Sequence, residues 1–307
     1  MRIDQLIYLQ EIASSGSFSR AAEKLNIAQP SLSQAVAALE EELGVQLFKR
    51  SRHGAQLTEI GERVFEKSRA VSNLLDEIKI VAGKQQSMLS GKLKIASIPS
   101  FFATILPKAA IAFKNRYPHI HLEMIEEGSL EIANHLSNGA IDIGLVSRRS
   151  MANFDKNMTF KPLFSGRIMA CVNNKSPYAG KKNISVKDII QWPLVMFNQN
   201  YRMHAHLMKM LSKVGKPNIF LTARNSFSIK KVVIDGLAIG FDASISLKTD
   251  PYIENGSIIP LNIIEETDTT FGILFKKKYL SLAADEFMTE LEGQAENFRR
   301  IYNIKIN

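Results

Sequence analysis

The sequence has a single cysteine, Cys171, set in the apolar run Ile168 to Val172, so neither an intrachain disulfide nor a multi-cysteine zinc site can form. A reducing, cytoplasmic setting is expected, with the thiol an inert core group. The long greasy stretch Ile95 to Phe113 is interrupted by Pro99, Pro107 and Lys108. Met1, Arg2, Ile3 and Asp4 alternate polar with apolar residues instead of leading into a signal core. Neither export nor membrane association is expected. A phosphate-cradling glycine loop, a nucleophile elbow and a zinc-protease helix are also absent, which leaves an enzyme without positive support. His119 and His121 would share a face of a strand, but no third ligand accompanies them, and His204 and His206 would point to different sides of a helix. No metal and no cofactor are expected.

What is present is ordinary globular protein: 307 residues, 45% hydrophobic and 22% charged, enough for two or three domains. The net charge of +9 suits an anionic partner, but its location matters. Residues 1 to 91 hold 11 basic and 11 acidic residues, and the remainder holds 28 basic and 19 acidic, so the whole excess lies beyond residue 91.

Near the N-terminus Leu6, Leu9 and Ala13 recur at helical spacing and Gly16 ends the segment, with Ser17 as the cap of a helix from Phe18 to about Leu25. A short link leads to Pro30, suited to a first helical turn. Leu32, Val36, Leu39 and Leu43 form one stripe of that helix, while Pro30, Gln34, Ala37 and Glu41 face outward with Ser31 and Ser33 on the flanks. A small, polar outward face is what a recognition helix needs to approach the major groove. Leu47 to Leu57 reads as two strands around a basic tip, completing a winged helix-turn-helix; a three-helix interaction module is the alternative. Thr58 then caps a helix in which Val64, Val71 and Ile78 lie seven apart, with Leu74, Val81 and Met88 in the second seam position. This pattern, interrupted at Lys67 and Gln85, suits a two-stranded coiled coil or a helix packed on its own domain.

From Lys92 strands and helices alternate, as in parallel α/β units. Expected elements are strands at Leu93–Ser97, Ile120–Glu126 and Ile141–Val146 with helices at Thr104–Arg116 and Leu130–Asn138. A second set has strands at Gly166–Val172, Leu194–Phe197, Ile219–Ala223 and Ala238–Phe241, with helices at Ala205–Val214 and Ile229–Asp235.

Residues 17 to 61, SFSRAAEKLNIAQPSLSQAVAALEEELGVQLFKRSRHGAQLTEIG, closely resemble the DNA-binding domain of LysR-type transcriptional regulators. GKLKIASIPSF, GAIDIGLV and VVIDGLAIGF extend the likeness more loosely over the rest. The resemblance implies an α/β protein with an N-terminal winged helix-turn-helix (1–58), a long linker helix for dimerisation (59–89), and a two-lobed effector domain like periplasmic binding proteins. Lobe I would hold 92–165 and 269–307, and lobe II 166–268. By position it implicates Gln29, Pro30, Ser31, Ser33 and Gln34 at the groove and Arg50 and Arg52 at phosphates, although Arg50 can equally be held by Glu40 or Glu41 and Gln29 can serve as a helix cap. It implicates Val64, Val71, Leu74, Ile78 and Val81 in pairing. The implied partners are double-stranded DNA bearing an inverted repeat, a second copy of the chain in a dimer or tetramer, a small effector, and RNA polymerase. A DNA-binding repressor without effector, and an α/β solute-binding or catalytic protein that uses the first domain only to dimerise, remain as alternatives.

Ligands of open α/β sheets sit beyond the strand carboxyl ends, where helix N-termini offer free N–H groups. Ser97, Ser100 and Phe101, Gly128 and Ser129, and Ser226 with Ser228 stand at three such ends, though serine is also a common helix cap. Arg148, Arg149, Asn198, Arg202 and His204 add groups suited to a carboxylate or other oxyanion, so the expected effector is a small anion.

Overall fold

The computed structural model describes residues 1–51, 54–82, 91–148, 157–276 and 280–306. Arg52, Gln85, Met88 and Arg149 lie outside the described residues, and of Arg50 and Val81 only the backbone is described.

Three helices build the first unit: α1 (Ile3–Ser15), α2 (Phe18–Lys24) and α3 (Gln29–Leu43). Gly16 ends α1 in the left-handed region at φ +63°, and the Ser17 hydroxyl caps α2 by accepting from the Arg20 N–H. Leu9, Ile12, Leu32, Val36 and Leu39 are fully buried between the helices, each contributing about 1.5–3 kcal/mol of transfer free energy. Leu43, expected on the same stripe, is exposed because α3 runs past the core before Gly44 stops it. Strands β1 (Phe48–Ser51) and β2 (Gly54–Leu57) pair antiparallel as the wing. The Glu40 carboxylate accepts from the N–H groups of Leu47 at 2.6 Å and Phe48 at 3.1 Å, tying the start of the wing to α3. Thr58 then opens α4 (Glu59–Ala82), its hydroxyl accepting from the Gly61 N–H.

The remaining elements are β3 (Gly91–Ser97), α5 (Pro99–Phe102), α6 (Leu106–Arg116), β4 (Ile120–Glu126), α7 (Ser129–Ser137), β5 (Ile143–Arg148), β6 (Thr159–Asn173), β7 (Asn183–Ile184), α8 (Val186–Ile189), β8 (Leu194–Phe197), α9 (Arg202–Leu211), β9 (Ile219–Ala223), α10 (Ser226–Ile234), β10 (Gly240–Ala243), α11 (Pro251–Glu254), β11 (Ile258–Ile263), β12 (Asp268–Phe275) and α12 (Leu282–Tyr302). One sheet runs β4-β3-β5-β12-β6-β11-β7, with β10 also on β6, and β8 pairs β9 separately. The sheet is mixed rather than purely parallel: β3, β4 and β5 are parallel, whereas β12, β6, β10 and β11 pair antiparallel.

Strand β6 belongs to both lobes. Thr159 to Arg167 pair with β12 in lobe I, and Ile168 onward pairs with β10 and β11 in lobe II. The second crossing is the segment between β11 and β12, where the fully buried Thr267 donates its hydroxyl to the Ile168 carbonyl at 2.9 Å and accepts the Ile168 N–H through its own carbonyl at 3.1 Å. These two crossings form the hinge. Each lobe has its own apolar core, and α12 closes that of lobe I with Phe287, Leu291, Ala295 and Phe298 on one face against α6.

Helices α9 and α10 begin three residues earlier than the apolar periodicity indicates, because their first three residues include no fully buried side chain: α9 buries Leu207 and Leu211, and α10 buries Ile229 and Val233. Among the described residues, no helix is long and apolar enough to cross a membrane.

Candidate nucleic-acid interface and ligand cleft

Along the N-terminal half of α3, Gln29, Pro30, Ser31 and Gln34 are exposed and Ser33 is half-buried. Ala28, not Gln29, is the cap residue and offers no side-chain bond; the Gln29 amide instead donates to the Ser33 hydroxyl at 3.1 Å. One turn of α3 therefore presents two amides and two hydroxyls on a surface free of large apolar groups, the donor and acceptor set that reads base edges. Lys49 is exposed on the wing beside it.

On α4, Val64 packs on the helix-turn-helix core, while Val71, Leu74 and Ile78 are 37%, 55% and 63% exposed. Below this stripe a cavity of about 420 Å³ opens between α1, the end of α3 and α4, lined by Leu6, Leu43, Ile60, Val64 and Val71 among others. Other residues of α4 are fixed to lobe I. Arg69 donates to Asp142 at 2.5 Å and to the Gly139 carbonyl at 3.1 Å, and Lys276 bridges Glu66 at 3.1 Å and the Ser137 carbonyl at 2.7 Å. Gly139 is needed there, since a Cβ would stand 2.7 Å from the Phe65 ring.

Helix α7 spans the distance from this junction to the cleft between the lobes. At its N-terminus Glu131 accepts from the Asn200 amide of lobe II at 2.6 Å, and a Cβ on Gly128 would stand 2.1 Å from the Asn200 carbonyl oxygen. The Thr249 hydroxyl donates to the Ala103 carbonyl at 2.9 Å, a second tie between lobes.

The expected effector residues divide into groups. Phe101 is fully buried between Phe164 and Phe271, at centroid distances of 6.1 and 6.4 Å, and has no surface to offer a ligand. Ser97 is likewise fully buried and donates to the Ile98 carbonyl. Ser100 is buried in the first turn of α5, its carbonyl accepting from Thr104. Ser129 accepts from the Ser147 N–H at 3.2 Å, and the Asn198 side chain accepts from the Asn200 N–H at 3.1 Å. Ser226 donates to Asp242 at 3.0 Å, and Asn225 is the cap of α10, accepting from the Ser228 N–H. Acidic groups stand near these helix starts, Asp242 among them with Lys230 at 3.4 Å. Burial and then Asp242 push the Glu126 carboxyl up, and Tyr201 is pushed up to about 12 by burial, Glu126 and Glu131.

Arg202 lies elsewhere, in a cavity of about 330 Å³ between the lobes. Its walls include Leu130, Ser147, Ile168, Met203, His206 and Phe271. Burial pushes the Arg202 guanidinium down from its ordinary value, and an anion beside it would act in the opposite direction. His204 turns away, its Nδ1 on the Phe197 carbonyl at 2.8 Å. Arg148 is on a different cavity altogether, with its guanidinium 5.4 Å from the Phe160 ring centroid.

Sequence reading did not find Ser147, Ile168, Thr269 or Phe271 as cleft residues; only the pairing of β5, β6 and β12 brings them together. Cys171 is buried and its thiol is pushed up by burial, with Asp242 adding to the effect. His119 and His121 are both exposed, and among the described residues no group of three or more His, Cys, Asp or Glu is arranged to hold a metal ion.

Two family models match the chain: the bacterial regulatory helix-turn-helix protein, lysR family, over residues 3–62, and the LysR substrate binding domain over residues 86–296. A probable RuBisCO transcriptional regulator of Thalassiosira pseudonana is 26% identical over 295 residues, covering 94% of this chain and 96% of that protein. The HTH-type transcriptional regulator SsuR of Burkholderia cenocepacia is 26% identical over 278 residues, covering 89% of each. Full-length OxyR of Pseudomonas aeruginosa shares the fold with a TM-score of 0.73 at 20% identity, covering 95% of this chain and 98% of that one.

Proposed function

The chain belongs to the LysR family of transcriptional regulators, and from that premise we propose that its effector is a small organic monoanion with an apolar body, held by Arg202 in the cavity between the lobes. Sequence-specific DNA binding through the winged helix-turn-helix and control through the effector domain come with the family. The observation that carries the ligand reading is a cavity of ordinary small-molecule size in which one half-buried guanidinium stands among Leu130, Ile168, Met203 and Phe271.

The exposed stripe Val71, Leu74 and Ile78 supports pairing of α4 with the α4 of a second copy, and Val81 continues the same spacing. A twofold pair presents two recognition helices to an inverted repeat, with half-sites separated by whole turns of the duplex. Gln29, Pro30, Ser31, Ser33 and Gln34 serve the groove in this reading, and Lys49, Arg50 and Arg52 the phosphates. Helix α7 couples the two functions, since one end touches the ligand cavity at Leu130 and the other rests on α4 through Lys276 and Glu66. A change of lobe angle that moves α7 also moves the DNA-binding arm; coupling of this kind amounts to about 1–3 kcal/mol.

The test is calorimetric titration of the full chain with phenylacetate and hexanoate, followed by DNA binding with each. Saturable binding that Arg202→Gln weakens about tenfold or more, together with a shift in DNA affinity, is the expected result. Tighter binding of neutral amide analogues than of the acids would overturn the anionic assignment.

A further inference from the structure

A larger cavity, about 770 Å³, lies at the hinge and is lined by both lobes. Lobe I contributes Arg148, Thr270 and Lys305, and lobe II contributes Met169, Lys248 and Asn262. The C-terminal segment forms part of the wall by design of the chain. Asn303 ends α12 in the left-handed region at φ +51°, and the Lys305 carbonyl then accepts from the Ser165 N–H at 2.9 Å, fixing this segment to β6.

The charge of the lining is unequal. Arg167 is already engaged, its guanidinium donating to the Ile263 carbonyl at 3.1 Å and lying 3.8 Å from Asp268. Among the described residues of the lining, Arg148, Arg167, Lys248 and Lys305 stand against Glu266 and Asp268, an excess of two positive charges. It coincides with the placement of the whole +9 excess of the chain beyond residue 91. Hydroxyl and amide groups, including Thr270, Ser244, Tyr302 and Asn262, also line the cavity and suit the hydroxyls of a ligand.

We propose that this hinge cavity is a second ligand site, distinct from the one at Arg202, and that it takes a small hydroxylated dianion, a phosphomonoester or a dicarboxylate. Such a ligand neutralises the excess charge and contacts both lobes beside the Ile168–Thr267 crossing. It therefore binds one lobe angle better than another and shifts the population of DNA-binding arrangements independently of the cleft ligand.

Calorimetric titration of the full chain with glucose 6-phosphate, malate and neutral glucose tests this. One equivalent of glucose 6-phosphate or malate binds per chain, glucose does not, and the tighter of the two dianions identifies the headgroup. Lys248 and Lys305 are both exposed, so the double variant Lys248→Gln/Lys305→Gln keeps the fold and lowers dianion affinity about tenfold or more. The Arg202→Gln chain keeps the dianion isotherm while binding phenylacetate about tenfold or more weakly, which separates this site from the cleft. Absence of dianion binding, equal binding of glucose, wild-type affinity in the lysine variant, or loss of the dianion isotherm in Arg202→Gln alone would each overturn the proposal.

Discussion

Lys230→Met is expected to destabilise lobe II by about 3–5 kcal/mol, because it strands two buried carboxylates. Lys230 Nζ lies 3.4 Å from Asp242 and closer still to Asp250, and the two acids are among the least exposed charged groups described, at 4% each. Asp242 also accepts from Ser226, from Ser246 at 2.7 Å and from the Ala243 N–H at 2.7 Å. This cage fastens α10, β10 and the turn before α11 to one another. Burial alone would push the Lys230 ammonium down; Asp242 and Asp250 outweigh it and leave the group raised. The direction fixes the pH window. A lysine raised in the folded state contributes its full stability below its unfolded value, about 10.4, and loses it as pH rises through the folded value. Wild-type stability is thus insensitive to this group through neutral pH and declines in alkali, whereas Lys230→Met lacks that alkaline component. Urea denaturation followed by circular dichroism between pH 7 and pH 11 measures both. A midpoint for Lys230→Met equal to wild type would show the cage to be energetically idle.

Gly61→Ala is expected to weaken DNA binding strongly. A Cβ there would stand 2.1 Å from the Leu47 carbonyl oxygen, and a backbone atom cannot rotate aside. The same spot is crowded with bonds: the Gly61 N–H donates to Thr58 at 2.8 Å, the Thr58 hydroxyl donates to the Gln46 carbonyl at 2.7 Å, and the Thr58 N–H donates to Leu47 at 2.9 Å. Relief of the clash moves the start of α4 away from the wing, at an overpacking cost of about 1–3 kcal/mol. Since wing and α4 set how two recognition helices face the duplex, a cost of that size taken from binding lowers affinity by about 5- to 150-fold. Fluorescence anisotropy with labelled operator DNA reads this. Wild-type affinity in Gly61→Ala would mean that wing and α4 move independently.

The first unit was legible because its information is local. Leu9, Gly16, Ser17 and Pro30 each act within a turn or two of their own position, and helical spacing alone predicts the buried set Leu32, Val36 and Leu39. The cleft was much less so. Ile168 and Thr269 are a hundred residues apart along the chain, and they meet only because β12 returns antiparallel beside β6. The first three residues of α9 and α10 include no fully buried side chain, which is why Arg202 and Ser226 read as loop residues. Ser226 has the composition of a ligand-binding helix start, yet Asp242, sixteen residues later, takes its hydroxyl. Arg148 and Arg202 look like one anion clamp in sequence, but lie on separate cavities. The long helix α12 was not anticipated, although its apolar spacing from Ala284 to Phe298 is as regular as that of α3.

Reading of a symmetric DNA site by paired recognition helices, through the outward face of α3, is tested by sequencing the fragments that the purified chain and its Gln34→Ala variant retain from random DNA at moderate salt. The wild-type fragments are expected to share an inverted repeat, and Gln34→Ala to lose about 1–3 kcal/mol of discrimination at one base pair in each half-site. Fragments with no common sequence, or a variant with the wild-type preference intact, would contradict it.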